Sequence, residues 1–423
     1  MEVKPGHKQS DVGVIPEDWE VRRIGAVCKL INGRGFKPFE WQRTGLPIIR
    51  IQNLNGSDDF NYYSGTYDRK LEVQLGQLLF AWSGSRGTSF GPYVWKGPFG
   101  LLNYHTWKVQ IHEFEIGKDF LFHALKQLTG YIEGWAHGAS ALVHVQKWQM
   151  EGFQLALPPA KAEQEAISKA LSDADALIEC LEQLISKKRH LKQGAIQELL
   201  TGKKRLPGFE KKKGFKQTEV GVIPEDWEVV PVSQRLRGAP TYGINASAIP
   251  FDSRFPTYLR ITDITKDGRF AEATKASVAH PSAMSYLLEP GDIVFARTGA
   301  SVGKSYLYNP RDGDLVFAGF LIRLRPDCER LLPEYLWFYS QSNSYWNWVT
   351  MNCMRSGQPG INGEQYASLP LPLPPTKAEQ ETIAAILSDM DAEIAALEEK
   401  LAKTRQIKQG MMQELLTGRI RLL

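Results

Sequence analysis

The stretch that decides the fold is LPPAKAEQE at residues 157–165, which returns as LPPTKAEQE at residues 373–381. The similarity continues without a gap over residues 157–206 and 373–422, where 30 of 50 positions are identical. Two prolines lie near the start of each block, and a Thr-Gly pair near its end supplies a glycine stop. The pattern predicts one long helix that is used twice.

Apolar residues in each block alternate in steps of four and three, which is the heptad pattern of a helix that packs against another helix. About 40 residues make a rod of roughly 60 Å. The simplest partner is the other copy, so we expect an antiparallel pair within the chain; self-association between chains is the alternative. The residues predicted to pair the helices are Ile167, Leu171, Ile178, Leu181 and Ile185 in the first block and Ile383, Leu387, Ile394, Leu397 and Leu401 in the second.

Gly194 and Gly410 lie inside the helical pattern at matching positions. A glycine in a helix interior costs about 1 kcal/mol relative to alanine. Its presence in both copies indicates either a close approach of two helices or a bend.

A second repeat precedes each variable part of the chain. KQSDVGVIPEDWEV at residues 8–21 returns as KQTEVGVIPEDWEV at residues 216–229. The offsets of the two repeats, 208 and 216 residues, are too long for a solenoid. The sequence therefore contains one module twice.

The two variable parts diverge, with faint echoes such as GQLLFAWSG at residues 76–84 and GDIVFARTG at residues 291–299. Short β-rich runs separated by Gly, Pro, Asn and Asp predict strand-rich mixed domains, each ending in a helix. We expect an α+β protein with two such domains, each followed by a long helix, the helices pairing as an antiparallel coiled coil. The expected boundaries are 1–156 and 221–372 for the variable domains, 157–206 and 373–423 for the helices, and 207–220 for a basic linker.

Composition excludes several classes of protein. The 423 residues are 43% hydrophobic and 23% charged, as in ordinary globular proteins, and no apolar run is long enough to span a membrane. The polar first ten residues lack the apolar core of a signal peptide. The four cysteines form no CxxC pair, which argues against a zinc site and a disulfide framework. These features predict a cytoplasmic chain.

The net charge of +4 is unevenly distributed. Residues 187–216 hold 11 Lys and Arg and 2 Asp and Glu, a local charge of +9, which leaves −5 for the remainder. A basic segment is a weak indication of a polyanionic partner, and on charge alone a solvated helix end and linker is the favoured explanation.

Two divergent domains, each followed by a nearly identical helix that opens with Pro-Pro-x-x-x-Glu-Gln, resemble the specificity subunit of type I restriction–modification enzymes. The PEDW segments, at residues 16–19 and 224–227, match the usual start of each recognition domain in that family. The resemblance covers nearly the whole chain and depends on the combination of these features.

The resemblance implies that each variable domain reads one half of a split, asymmetric DNA target and that the paired helices set the distance between the halves. It also implies two methyltransferase subunits and two restriction–translocase subunits as partners. S-adenosylmethionine, ATP and Mg²⁺ would be used by those partners, with no cofactor or metal bound by this chain.

Base reading requires Arg, Lys, Asn or Gln at a groove edge, supported by phosphate contacts. Basic loops flanked by glycine in both variable domains suit that task. For each single residue, the alternative is an ordinary exposed loop residue. The candidates for DNA binding are Arg50, Ser83, Arg86, Arg260, Arg297, Thr298, Lys304, Arg355 and Gln358.

Catalytic motifs are lacking. Residues 299–305, GASVGKS, are one residue short of the nucleotide-binding P-loop, and Asn309-Pro310-Arg311 is not the motif of amino-methyltransferases. We therefore expect no catalytic residues and a targeting subunit rather than an enzyme. A coiled-coil scaffold without sequence-specific DNA binding is the alternative.

Overall fold

The computed structural model describes residues 5–135, 142–209, 214–353 and 359–422. They form two units: the first contains residues 1–182 and 399–423, and the second contains residues 183–398. Each of the two long helices contributes one segment to each unit.

The first unit is built on two four-stranded sheets, ordered β10-β8-β12-β4 and β6-β5-β11-β7. Its strands are β1 (His7–Ser10), β2 (Gly13–Pro16), β3 (Glu20–Arg23), β4 (Cys28–Asn32), β5 (Leu46–Ile49), β6 (Asn61–Tyr63), β7 (Glu72–Val73), β8 (Leu78–Ala81), β9 (Ser83–Ser85), β10 (Gly91–Val94), β11 (Gly100–Leu102), β12 (Thr106–Ile111), β13 (Leu142–His144) and β14 (Gln154–Leu157). Its helices are α1 (Ile24–Val27), α2 (Ile51–Leu54), α3 (Lys118–Trp135), α4 (Lys147–Gly152) and the first part of α5 (Lys161–Leu199).

The second unit also has two four-stranded sheets, ordered β18-β25-β22-β23 and β19-β21-β20-β24. Its strands are β15 (Phe215–Thr218), β16 (Gly221–Pro224), β17 (Glu228–Pro231), β18 (Thr241–Tyr242), β19 (Ile249–Pro250), β20 (Thr257–Leu259), β21 (Ala276–Ser277), β22 (Ile293–Ala296), β23 (Ser305–Leu307), β24 (Leu315–Phe317), β25 (Leu321–Leu324) and β26 (Pro370–Leu373). Its helices are α6 (Pro333–Tyr339), α7 (Asn343–Asn352), α8 (Gly363–Ala367) and most of α9 (Lys377–Leu415).

The two units follow one plan despite their different sequences. Read from its other edge, the first sheet of the second unit has the same strand sequence as that of the first unit, with β22 in the place of β8. In the other sheet, β5 and β11 pair in parallel, as do β20 and β24. The predicted α+β class with two strand-rich domains is confirmed.

A glycine allows the same close backbone approach in both units. A Cβ atom on Gly33 would lie 2.0 Å from the Asn103 carbonyl oxygen, and one on Gly243 would lie 2.2 Å from that of Ala318. No other residue fits at such a distance. The residue after each glycine forms a parallel β-bridge, Arg34 with Asn103 and Ile244 with Ala318.

The long helices pack antiparallel within each unit, as predicted. In the first unit Arg405 of α9 pairs with Glu182 of α5 at 2.5 Å, and in the second Arg189 of α5 pairs with Glu398 of α9 at 2.6 Å. A further pair in each unit gives the direction: the first unit also has Lys408–Asp175, and the second also has Lys192–Asp391. Within each unit, the residue numbers therefore rise along α5 as they fall along α9.

Each long helix ends against a PEDW segment of its own unit. Gly202 and Gly418 adopt φ of +68° and +71°, the left-handed conformation of a helix stop, and pack against Pro224 and Pro16. Three residues further on, Arg205 pairs with Asp226 and Glu379, and Arg421 pairs in the same way with Asp18 and Glu163. The repeated ends thus join each helix to the tryptophan-containing start of a domain, where Trp19 and Trp227 are buried.

Candidate nucleic-acid interface

Two parallel strands end side by side in each unit. Residue Arg50 follows β5, and the Asn103 amide donates to the Ile49 carbonyl at 3.1 Å. In the second unit Arg260 follows β20, and the Ala318 amide donates to Leu259 at 3.0 Å. Because parallel strands end at the same edge of a sheet, we call this place the strand-end edge of each unit.

The first sheet reaches the same place through β8 or β22. The main-chain amide of Trp82 donates to His105 at 3.1 Å, and that of Arg297 donates to Phe320 at 3.0 Å. Trp82 and Arg297 therefore occupy equivalent backbone positions and carry unrelated side chains. The strand-end edge thus has one backbone and two different chemical surfaces.

Arg50 has an unpaired guanidinium. Its main-chain amide donates to Asn53 Oδ1 at 3.0 Å, while its guanidinium lies over the ring of Trp41, 5.1 Å from the centroid. Its Nε is buried without an acceptor, and no hydrogen bond joins the rest of its guanidinium to the described residues. Trp41 itself is 38% exposed.

Arg260 occupies the position equivalent to Arg50, but its guanidinium is paired with a carboxylate. Its main-chain amide donates to Asp263 Oδ2 at 2.9 Å, which repeats the Arg50–Asn53 contact. Its Nε and Nη2 donate to the same carboxylate at 2.8 Å each, and Asp263 is fully buried. These hydrogen bonds raise the pKa of Arg260 above its usual value. The guanidinium of Arg260 therefore already has its partner within the chain.

Arg297 resembles Arg50 in its surroundings. Its guanidinium lies 4.9 Å from the ring centroid of Tyr242, and its buried Nε has no acceptor. In the part of the chain described, no carboxylate pairs with it. Tyr242 is 42% exposed, and its hydroxyl accepts a hydrogen bond from the Gly363 amide at 2.9 Å, which holds the ring in place.

The remaining candidates are placed as follows. Ser83 lies in β9, which pairs with β13, and Arg86 is exposed in the loop that follows. Thr298 bridges Gly360, while the partly exposed Lys304 donates its amine to the Ile264 carbonyl at 3.2 Å. Arg355 and Gln358 lie outside the described residues.

The chain matches the family model of the type I restriction modification DNA specificity domain at residues 16–187 and 258–409. It belongs to that family. Over 96% of this chain and 94% of the relative, it is 26% identical to the type I restriction enzyme MjaVIII specificity subunit of Methanocaldococcus jannaschii. It is 22% identical to the EcoBI specificity subunit of Escherichia coli, over 96% of this chain and 87% of that one.

A solved structure shares the fold of this member of the specificity family. The type I restriction-modification S subunit from M. genitalium has a TM-score of 0.57 at 15% identity, with 98% of each chain covered. The predicted resemblance is therefore confirmed. Family membership also supports the prediction that the chain is a non-catalytic targeting subunit.

The residues predicted to pair the helices in this specificity-family chain lie along α5 and α9 at different depths. Ile167 and Leu171 belong to the core of the first unit, and Ile383 and Leu387 to that of the second. The others are buried or half-buried. Buried are Leu181, Ile185 and Ile394; half-buried are Ile178, Leu397 and Leu401.

Sequence reasoning missed the residues that decide the state of each arginine. Trp41 lies in the loop before β5, and Tyr242 lies in β18, far along the chain from Arg297. Spacing in the sequence gives no signal that either ring contacts an arginine. Asn53 and Asp263 were detectable, because they lie three residues after the aligned arginines and cap the same turn.

Two further findings concern the described residues as a whole. No group of three or more His, Cys, Asp or Glu side chains there is placed to hold a metal ion. Among the same residues, no helix combines the length and apolar character needed to cross a membrane.

Proposed function

We propose that this chain is the DNA-sequence-specificity subunit of a type I restriction–modification complex, and that each unit reads one half of a bipartite, asymmetric target. The observation that carries the proposal is the strand-end edge: one backbone arrangement occurs twice in the chain, with different side chains each time. A duplicated scaffold with two chemical surfaces suits the reading of two different half-targets.

The chemistry would belong to partner subunits. We infer two methyltransferase subunits and two restriction–translocase subunits, which use S-adenosylmethionine, ATP and Mg²⁺ in the cytoplasm. Within this chain, residues 1–156 and 221–372 would be the recognition domains, joined by the helices of 157–206 and 373–423 and by the basic linker of 207–220. The end of that linker contains β15, which pairs with β16 of the second unit.

The first experiment is methylation mapping in a cell that supplies the methyltransferase subunits. We expect one motif of two constant parts separated by a fixed gap, and no methyl transfer to DNA by the purified chain alone. A methylated motif without a gap would contradict bipartite reading, and labelled methyl transfer by the pure chain would contradict its non-catalytic role.

The independence of the two units is tested by exchange. Replacing residues 22–156 with the equivalent part of a relative should change one half-target and leave the other intact, because the second unit keeps all of its own strands. The matched control replaces the second recognition domain instead. If either exchange altered both halves together, the units would not be independent readers.

A further inference from the structure

Arginines stacked on aromatic rings fall into two groups in this molecule. Among the described residues, six arginines place the guanidinium over a ring. Four of them also bind a carboxylate: Arg34 with Glu40, Arg205 with Glu379, Arg254 with Asp252 and Arg323 with Asp292. Arg50 and Arg297 do not.

These two arginines lie at the strand-end edge, one in each unit. Both are partly exposed, both have a buried Nε without an acceptor, and both lie against a ring that is itself about 40% exposed (Trp41, 38%; Tyr242, 42%). Stacking removes freedom from the guanidinium while its charge stays uncompensated. With Nε buried, the two Nη nitrogens carry the donors that remain for a ligand.

The two units use different positions for the free arginine. Position 50 in the first unit corresponds to Arg260, which Asp263 binds through two hydrogen bonds. Position 297 in the second unit corresponds to Trp82, whose indole donates to the Tyr104 carbonyl at 3.0 Å. Among the described residues, each unit therefore offers one stacked arginine without a carboxylate partner, and the two lie at non-equivalent places.

The residue three positions later explains why Arg50 is free and Arg260 is not. Asn53 and Asp263 cap the same turn and are both buried. The amide of Asn53 donates to the carbonyls of Ser57 and Asp59, at 2.9 and 3.0 Å, and an amide cannot neutralise a guanidinium. The carboxylate of Asp263 can.

We propose that Arg50 and Arg297 are specificity-determining residues that each read a guanine, through O6 and N7, in the half-target of their own unit. A paired donor fork is the group that binds this edge of guanine, and a stacked arginine is already ordered for it. The proposal rests on the proposed function, because it requires that each unit read its own half of a DNA target.

The test uses the whole complex with its methyltransferase subunits and compares Arg50→Ala, Arg297→Ala and Arg254→Ala by methylation mapping. Arg254→Ala is the matched control, since Arg254 is stacked but bound to Asp252 and exposed. We expect each of the first two variants to relax one G·C position in one half-target, with discrimination reduced on the order of 10- to 100-fold. The control should leave the motif unchanged.

Thermal melting of each complex separates lost reading from lost folding, and Arg297→Lys keeps the charge without the fork and should also relax the position. A loss of affinity that is uniform across DNA sequences would overturn the proposal if the slope of log binding constant against log salt concentration also became shallower by about one. That result would assign the arginine to a phosphate contact. An unchanged motif would overturn it too, as would a wild-type half-target without a G·C pair. A wild-type motif with no gap would instead reject bipartite reading itself.

Discussion

At the scale of single residues, the two units differ in how they fill one position of the helix that follows the sheets. His123 of α3 is buried in the first unit, with Nε2 3.1 Å from Ser172 Oγ and Nδ1 without a partner. Burial lowers the pKa of His123 from 6.5 to about 4, with the Asp175 carboxylate opposing and the nearby lysines reinforcing that shift. The aligned residue of the second unit is Phe338, which cannot titrate.

We expect His123 to make the stability of the first unit depend on pH. Between pH 6.5 and about 4 the unfolded chain binds the proton and the folded chain does not, so stability is complete above pH 6.5 and falls as the pH drops toward 4. The loss should be on the order of 3 kcal/mol. Urea unfolding at a series of pH values measures it.

The matched variant is His123→Phe, which copies the second unit. It should remove the part of the pH dependence that lies between 6.5 and 4. If that dependence persisted, the titrating group would be another one.

At the scale of elements, periodicity and stop signals predicted the helices well. Both long helices run for 39 residues and turn at the Thr-Gly pairs, as the repeated block indicates. The strands were predicted by composition and by the echo of residues 76–84 at residues 291–299. These signals are local, so a sequence carries them in full.

Whether each arginine is paired with a carboxylate could not be predicted in the same way. Arg50 and Arg260 look alike in sequence, and only the side chain three residues later and a ring from a separate loop distinguish them. Such contacts are formed by the tertiary fold. The list of candidates therefore contained Arg50 and Arg297, which have no carboxylate partner, together with Arg260, which has one.

Gly194 and Gly410 offer a second test at this scale. The structure excludes a close approach as their reason, because nothing lies within 4 Å of a Cβ atom built on either. We expect Gly194→Ala to raise the free energy of unfolding by about 1 kcal/mol, because alanine leaves the unfolded chain less conformational freedom than glycine does. Gly410→Ala is the matched variant, and the midpoint of urea unfolding is the measurement. A destabilised Gly194→Ala variant would mean that the helix needs glycine there for another reason.

At the scale of the whole molecule, the ion pairs of α5 and α9 suggest how the gap in the target can be changed. Glu182–Arg405 and Arg189–Glu398 are one heptad apart on each helix. Duplicating residues 183–189 in α5 and 399–405 in α9 therefore inserts one heptad between matched pairs and keeps the apolar stripe on the same face.

Seven residues add about 10 Å of helix, and base pairs are about 3.4 Å apart. If the paired helices set the spacing of the half-targets, the gap in the methylated motif should grow by about three base pairs while the bases read stay the same. Three base pairs also turn the groove by nearly a third of a turn, so affinity should fall. Duplicating the heptad in α5 alone is the control and should lose activity, because the ion pairs no longer align. An active double duplication that methylates the original motif would show that another part of the complex sets the gap.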